Sequence, residues 1–202
     1  MCGIFRSTDK KEFNKQYKLN LTRGASAFSG LFFNKDKMTL LKTEDTRYCP
    51  YFAADSYLGH LRAPTGNSRS FSTIHSHPFE YGDWIVAHNG IITNYEELIK
   101  DFNCKDRFKV DSSLIPYFLH IQGFEAFNKL KGTWACWMYN TQLKTLHITR
   151  SDNTLFINFD GGFSSAPIEG YAPLPERKVF KLNGNSYEHC FSYNTKPTYF
   201  VP

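Results

Sequence analysis

The sequence lacks any long apolar run. Nowhere do ~18–20 continuous apolar residues occur, the length a membrane-spanning helix needs, so no membrane partner is expected. The N-terminus, MCGIFRSTDKKEF, has no apolar stretch behind a basic segment, and no secretory signal is expected. Cysteines are few: Cys2, Cys49, Cys104, Cys136 and Cys190, an odd count, widely spaced and without a C-x-x-C pair. That argues against a disulfide framework and for reduced thiols in the cytoplasm. Neither phosphate-loop pattern, GxxxxGK[ST] nor GxGxxG, is present, so no nucleotide is expected and the expected cofactor list is empty. The formal charge of +5 is not concentrated, because Lys and Arg are scattered among acids. A solvated, mildly basic surface accounts for it, and no nucleic-acid partner is expected. There is no repeat, low-complexity tract or Pro/Gly/Ser linker, so residues 1–202 read as a single domain.

What is present is apolar and aromatic: 41% hydrophobic and 17% aromatic residues, enough for a sizeable core. CGIFRS reads as a short strand. Asp9 and Glu12 have capping-box spacing, and Phe13, Tyr17 and Leu21 share one helical face. SAFSGLFFN and KMTLLK predict two strands around Asn34-Lys35-Asp36. WIVAH, residues 84 to 88, predicts a strand buried on both faces, broken by Asn89-Gly90. Thr93 and Glu96 predict a helix cap, with the helix running to about Lys100. Asp111 stands outside a helix beginning near Ser113, which places Pro116 in the first turn, where backbone donors are unpaired anyway. GFEAFNKLKG predicts a further short helix, and GTWACWMYNTQLKTLHITR a hairpin of two long strands. Helices interspersed among β-pairs favour an antiparallel architecture over a parallel βαβ sheet.

Cys2 is the most informative position. A small residue there is compatible with removal of Met1, which leaves a thiol and a free α-amine on one residue. An α-amine titrates near roughly 7.7–8.0, against ~10.4 for Lys, so it accepts a proton close to neutrality. It can activate the thiol and later protonate a leaving amine, with no histidine base required. Alternatively, Cys2 is a small apolar residue of a first strand. Gly3 favours the first reading by letting a substrate approach the backbone beside the thiol.

Five segments taken in order carry a family resemblance. Met1-Cys2-Gly3-Ile4-Phe5 resembles the start of the class II glutamine amidotransferases. Arg23-Gly24, with Ser29-Gly30, is similar to their RGxDxxG segment, and Gly59-His60-Leu61-Arg62-Ala63-Pro64-Thr65 to their GHxRxxT segment. His77-Pro78, followed by His88-Asn89-Gly90-Ile91-Ile92-Thr93-Asn94-Tyr95-Glu96-Glu97-Leu98, is similar to their HP…HNGxIxNYxEL block. Val110-Asp111 falls where the family has an Asp opening a helix. The resemblance covers about residues 2 to 160, and the ordered set is far more specific than any one motif.

The resemblance implies an α+β fold: the N-terminal-nucleophile hydrolase sandwich, four layers (αββα) built on two antiparallel sheets. It implies hydrolysis of the glutamine side-chain amide through a γ-glutamyl thioester on Cys2. Asn89 and Gly90 then supply oxyanion donors, although Asn-Gly is also the common tight hairpin turn. Arg62 grips the substrate carboxylate by paired hydrogen bonds and Thr65 adds a hydroxyl, the plain alternative for Arg62 being a surface ion pair. Asp111 pairs with the substrate ammonium, or is an ordinary helix cap. His77 is a pocket-edge histidine or a satisfied core histidine. Arg23 and Gly24 form a wall near the nucleophile. L-Glutamine is the expected substrate, and a separate ammonia-accepting synthase the expected partner, because a stand-alone domain of this kind has no acceptor domain of its own.

Two departures accompany the resemblance. The segment from Arg23 to Gly30 is one residue longer than the family pattern and lacks its Asp, and residues after 160 match poorly. Rival readings are a zinc site on His75-x-His77 with His60 and His88, an N-terminal-nucleophile amidohydrolase of another small amide, and a degenerate domain that binds glutamine without turnover. No metal is expected, because the cysteines have no ligand spacing.

Overall fold

The structure, a computed structural model, describes residues 1–35, 37–47, 53–63, 71–104, 108 and 110–195. Two compact units emerge, each assembled from separated stretches of chain. The first comprises Met1–Pro78, Thr154–Leu174 and Asn183–Ser186, and the second Phe79–Asn153, Pro175–Leu182 and Tyr187–Pro202.

The first unit is built on a seven-stranded sheet. Its long strands are β1 (Gly3–Ser7), β2 (Ala27–Asn34), β3 (Lys37–Thr43) and β4 (Ser56–Arg62). The seven are completed by three two-residue strands, β9 (Phe156–Ile157), β10 (Phe163–Ser164) and β11 (Ala172–Pro173). The order is β11-β9-β10-β1-β4-β2-β3, antiparallel throughout. Helix α1 (Lys10–Leu21) begins where the side chain of Asp9 accepts the Glu12 N–H at 2.8 Å. Only half of the expected capping box forms, since the Asp9 N–H donates to Ser7 Oγ rather than to Glu12. The buried stripe of α1 is Phe13, Gln16, Tyr17 and Asn20, spaced i, i+3, i+4, i+7. Leu21 is only partly buried. Phe13 meets the Phe5 ring at 5.1 Å, and Tyr17 meets Phe28 edge-on at 5.1 Å. Each such fully buried ring contributes about 1.5–3 kcal/mol.

The second unit is built on a six-stranded sheet. Its strands are β5 (Phe79–Tyr81), β6 (Trp84–Ile92), β7 (Gly132–Asn140), β8 (Thr145–Ser151), β12 (Lys178–Asn183) and β13 (Ser186–Ser192), in the order β13-β12-β8-β7-β6-β5. β6 and β7 pair without a break from Trp84↔Asn140 to Ile92↔Gly132. Helices α2 (Tyr95–Asp101) and α3 (Leu114–Gln122) bury Leu98, Ile99, Leu114, Ile115, Phe118 and Leu119 in one cluster with Val86, Trp134 and Met138. Trp134, Phe127 and Tyr193 form a mutual cluster of rings, with Trp134 6.0 Å from Phe127 and 5.9 Å from Tyr193 and those two 5.1 Å apart, and the Trp134 indole N–H donates to the Tyr193 hydroxyl at 3.0 Å.

The α+β class with two antiparallel sheets agrees with the sequence expectation, and several element bounds differ from it. β6 does not stop at His88 but runs through Asn89-Gly90 to Ile92, because Gly90 takes a φ of +146° that keeps it in register. Asn94, not Thr93, occupies the N-cap position of α2. Its amide offers both a donor and an acceptor, used on the Lys129 carbonyl and the Lys131 N–H, each at 2.9 Å. Gly123–Asn128 forms 3-10 turns rather than an α-helix.

Candidate active site

In the first unit, Cys2 sits at the head of β1, next to the end of β4, because Gly3 pairs with Leu61. The Ala63 N–H points at Cys2 Sγ at 3.4 Å, and the thiol faces the Ala63 carbonyl at 3.7 Å. Arg23, just after α1, donates from Nε to the Cys2 carbonyl at 3.2 Å. Partial burial lowers the pKa of the Arg23 guanidinium, and the nearby Cys2 opposes that shift. Gly24 is required by close approach: a Cβ there would lie 2.6 Å from the Ala63 nitrogen and from the Arg62 carbonyl carbon. The Ser26 N–H donates to the Arg62 carbonyl at 3.0 Å, which seats the lengthened segment against the end of β4. The structure thus brings Cys2, Arg23, Gly24 and the backbone of Arg62 together. Thr65 lies outside the described residues.

The expectation for Gly3 needs correction. The space beside its Cα is filled by Asn20 of α1, whose Oδ1 would lie 2.6 Å from an added Cβ. Gly3 lets α1 pack against the start of β1. His77 is buried and lies with its ring 4.1 Å from that of His60, two of the histidines that the zinc reading grouped.

Among the described thiols, Cys2 is half-buried, Cys104 and Cys136 are buried, and Cys190 is exposed. Burial pushes the Cys136 thiol well up, with Asp111 adding to it, and burial also raises Cys190. A raised pKa keeps a thiol protonated and poorly nucleophilic.

In the second unit, Asn89 and Gly90 lie in the middle of β6, opposite Ala135 and Trp134. They are not a hairpin turn. An added Cβ at Gly90 would fall 1.9 Å from the Thr133 carbonyl oxygen, so only glycine fits there. Asn89 is fully buried. Its carbonyl accepts from Asn153 Nδ2 at 2.8 Å, and its own Nδ2 faces Asn153 Oδ1 at 3.5 Å. Asp111 opens a 3-10 turn ahead of α3 and does not cap that helix by a side-chain bond. Its Oδ2 accepts the Ile92 N–H at 2.8 Å, and its Oδ1 accepts the Ser112 N–H at 2.8 Å and the Ser112 hydroxyl at 3.2 Å. A carboxylate has about four acceptor sites, so capacity for one further donor remains. Next to it, His88 Nδ1 meets Ser112 Oγ at 2.7 Å. Burial lowers the His88 pKa, with Asp111 opposing, so the imidazole is held neutral. Asn89, Gly90 and Asp111 are therefore gathered on and beside one strand. Asn153 and Ser112 carry no recognisable signal in the sequence, since both lie in short polar stretches that read as turns.

The protein is thus of the α+β class, with a thiol at the head of a strand in one antiparallel sheet and an Asn-Gly pair inside a strand of the other. Residues 73–166, just under half the chain, match the family model described as the glutamine amidotransferase domain, and this stretch includes His77, Asn89, Gly90 and Asp111. Glutamine–fructose-6-phosphate aminotransferase (isomerizing) of Lactococcus lactis is 26% identical over 137 residues, covering 61% of this chain and 23% of the relative. The same enzyme of Staphylococcus aureus is 28% identical over 138 residues, with the same coverage. The chain thus spans about a quarter of the length of the curated relatives it matches. Among solved structures, glutamine phosphoribosylpyrophosphate amidotransferase of B. subtilis superposes with a TM-score of 0.70 at 15% identity, over 93% of this chain and 48% of that one. A glutamine aminotransferase class-II domain protein from Silicibacter pomeroyi gives 0.57 at 10% identity, over 96% and 100%. Over residues 73–166 the chain is thus similar in sequence to glutamine amidotransferase domains, and in fold it resembles solved members of that class.

Proposed function

We propose that the chain hydrolyses the side-chain amide of L-glutamine, with Cys2 as nucleophile once Met1 is removed. The α-amine takes the thiol proton, and the sulfur adds to the amide carbonyl to form a C–S bond. Asn89 Nδ2 and the Gly90 N–H donate to the resulting oxyanion. Collapse breaks the C–N bond, and ammonia leaves with the proton returned by the α-ammonium. Water then adds to the γ-glutamyl thioester, breaks the C–S bond and releases glutamate. Arg62, with Thr65, binds the substrate carboxylate and Asp111 its ammonium; Arg23, Gly24 and His77 shape the surroundings. The ammonia passes to an acceptor-using synthase domain or subunit, in a cytoplasmic setting that keeps the thiols reduced.

The observation that carries this reading is the seat of Cys2. Its sulfur receives the Ala63 N–H at 3.4 Å and its carbonyl receives the Arg23 Nε–H at 3.2 Å, two donors that fix its position. The Asp111 carboxylate, anchored by Ile92 and Ser112 and with acceptor capacity left, supports a free amino acid as substrate. The test compares glutamine with an Nα-acylated glutamine in wild type and Cys2→Ala, with intact mass confirming loss of Met1. The wild type is expected to turn over free glutamine only, and Cys2→Ala neither. Equal rates on the two substrates would point to a general amidohydrolase, and glutamine binding without turnover to a degenerate binding domain.

A further inference from the structure

The geometry points to Asn153 as the positioning residue of the oxyanion donor Asn89, an inference that rests on the glutaminase reading. A side-chain amide stabilises an oxyanion only if it presents its NH2 end. Rotated by half a turn, it presents a carbonyl oxygen, which repels the developing charge. Asn89 is fully buried, and the amide of Asn153 faces it. Asn153 Nδ2 donates to the Asn89 carbonyl at 2.8 Å, and Asn153 Oδ1 lies 3.5 Å from Asn89 Nδ2. The first bond is of normal length. The second is at the outer limit for a hydrogen bond, so it acts as an electrostatic preference for nitrogen over oxygen at that point. One of the two Nδ2 hydrogens is thereby drawn toward Asn153.

Asn153 is itself clamped. Arg150 Nη1 donates to the Asn153 carbonyl at 3.0 Å and to Glu176 Oε1 at 2.7 Å. Asp152, at a positive φ of 51°, accepts from Arg177 Nη2 at 3.1 Å. Two ion pairs from the stretch after Pro175 therefore hold the bend that aims Asn153. Both ends of the Asn153 amide are directed at Asn89, the nitrogen at its carbonyl and the oxygen at its side chain. Only an amide offers a donor and an acceptor in that arrangement.

The test uses the processed full chain as wild type, Asn153→Ala and Asn153→Ser. It measures kcat and KM for glutamine, and affinity for two probes: the γ-aldehyde analogue of glutamine, which forms a tetrahedral adduct with the thiol, and glutamate, which does not. Asn153→Ala is expected to lose about ten- to a hundredfold in kcat, less than or similar to removal of an oxyanion donor, with KM changed less than about threefold. Affinity for the aldehyde falls by the same factor, and that for glutamate is unchanged. Asn153→Ser keeps a hydroxyl donor and falls between the two. Thermal melting checks that each variant is folded, and the serine variant carries the test if the alanine variant is not. An active wild type whose variant keeps its kcat within about twofold, or loses aldehyde and glutamate affinity together, overturns the positioning role alone. A processed wild type with no glutamine turnover overturns the glutaminase reading and this inference with it.

Discussion

The two units secure their functional groups differently. In the second, Asn89 and Gly90 are placed by a nine-residue strand in unbroken register with β7, backed by Trp134 and the helices α2 and α3. In the first, Cys2 is placed by stitches. β1 lies between β4 and the two-residue strand β10, and buried polar side chains join the pieces. Gln16 Nε2 donates to the Arg6 carbonyl at 2.9 Å, Asn20 Nδ2 donates to Ser164 Oγ at 2.9 Å, and the Ile4 N–H donates to Ser165 Oγ at 3.1 Å. A ladder spreads its cost over many bonds, whereas a stitch is a single buried hydrogen bond whose loss leaves its partner unsatisfied. Asn89 and Gly90 therefore rest on a nine-pair ladder, and Cys2 on a five-pair ladder with β4 reinforced by single buried bonds.

The largest expected effect is in the second unit. Trp134→Ala removes a fully buried ring from its cluster with Phe127 and Tyr193 and should cost about 3–5 kcal/mol in urea unfolding. Activity per folded molecule should change little, because the register of β6 and β7 survives. Asn20→Ala in the first unit cuts a stitch and should cost about 1–3 kcal/mol, while turnover falls further than stability, since Asn20 fills the space beside Gly3. If the Trp134 variant proves the milder in stability and the harsher in turnover, the contrast between ladder and stitch is wrong.

Acid should sharpen the contrast. His88 and His147, both in the second unit, have pKa values lowered by burial, His147 to about 4 with Lys181 adding to the effect. The unfolded chain binds a proton near the usual 6.5 that the folded chain refuses. The stability these histidines confer is complete above that value and falls as pH drops below it, for His147 between about 6.5 and about 4 by up to ~1.4 kcal/mol per pH unit. Melting temperature followed from about pH 7 to about 4.5 should decline, and His147→Gln should flatten part of the slope. The smallest effect is expected on the surface: Lys131→Ala breaks an exposed pair with Glu97 at 3.0 Å and should change stability by no more than about 0.5 kcal/mol.

The same contrast explains what could be read in the sequence. The hairpin of β7 and β8 and the helix α1 follow local rules, an alternating apolar pattern and a cap with a periodic face, and both formed where the residues placed them. The pairings of β1 with β10, and of β9 with β11, join residues more than a hundred positions apart or strands only two residues long, and no local pattern encodes them. At the site, the ordered motifs pointed to Cys2, Asn89, Gly90 and Asp111, but they misassigned Gly3 and treated Asn-Gly as the end of a strand. The first error arose because the contact that fills the space, Asn20, lies on another element. The second arose because a glycine at φ +146° inside a strand looks in sequence like a turn. The Ala63 N–H at the thiol was invisible because any residue other than proline can supply a backbone donor.

The most direct measurement of the account is peptide-mapping mass spectrometry of the chain after inactivation by a diazoketone analogue of glutamine, which alkylates the attacking thiol. A single adduct on a Cys2 peptide lacking Met1, formed in proportion to the turnover lost and prevented by excess glutamine, is the predicted result. Loss of turnover with the adduct on Cys104, Cys136 or Cys190, or full turnover with Cys2 still joined to Met1, would contradict it.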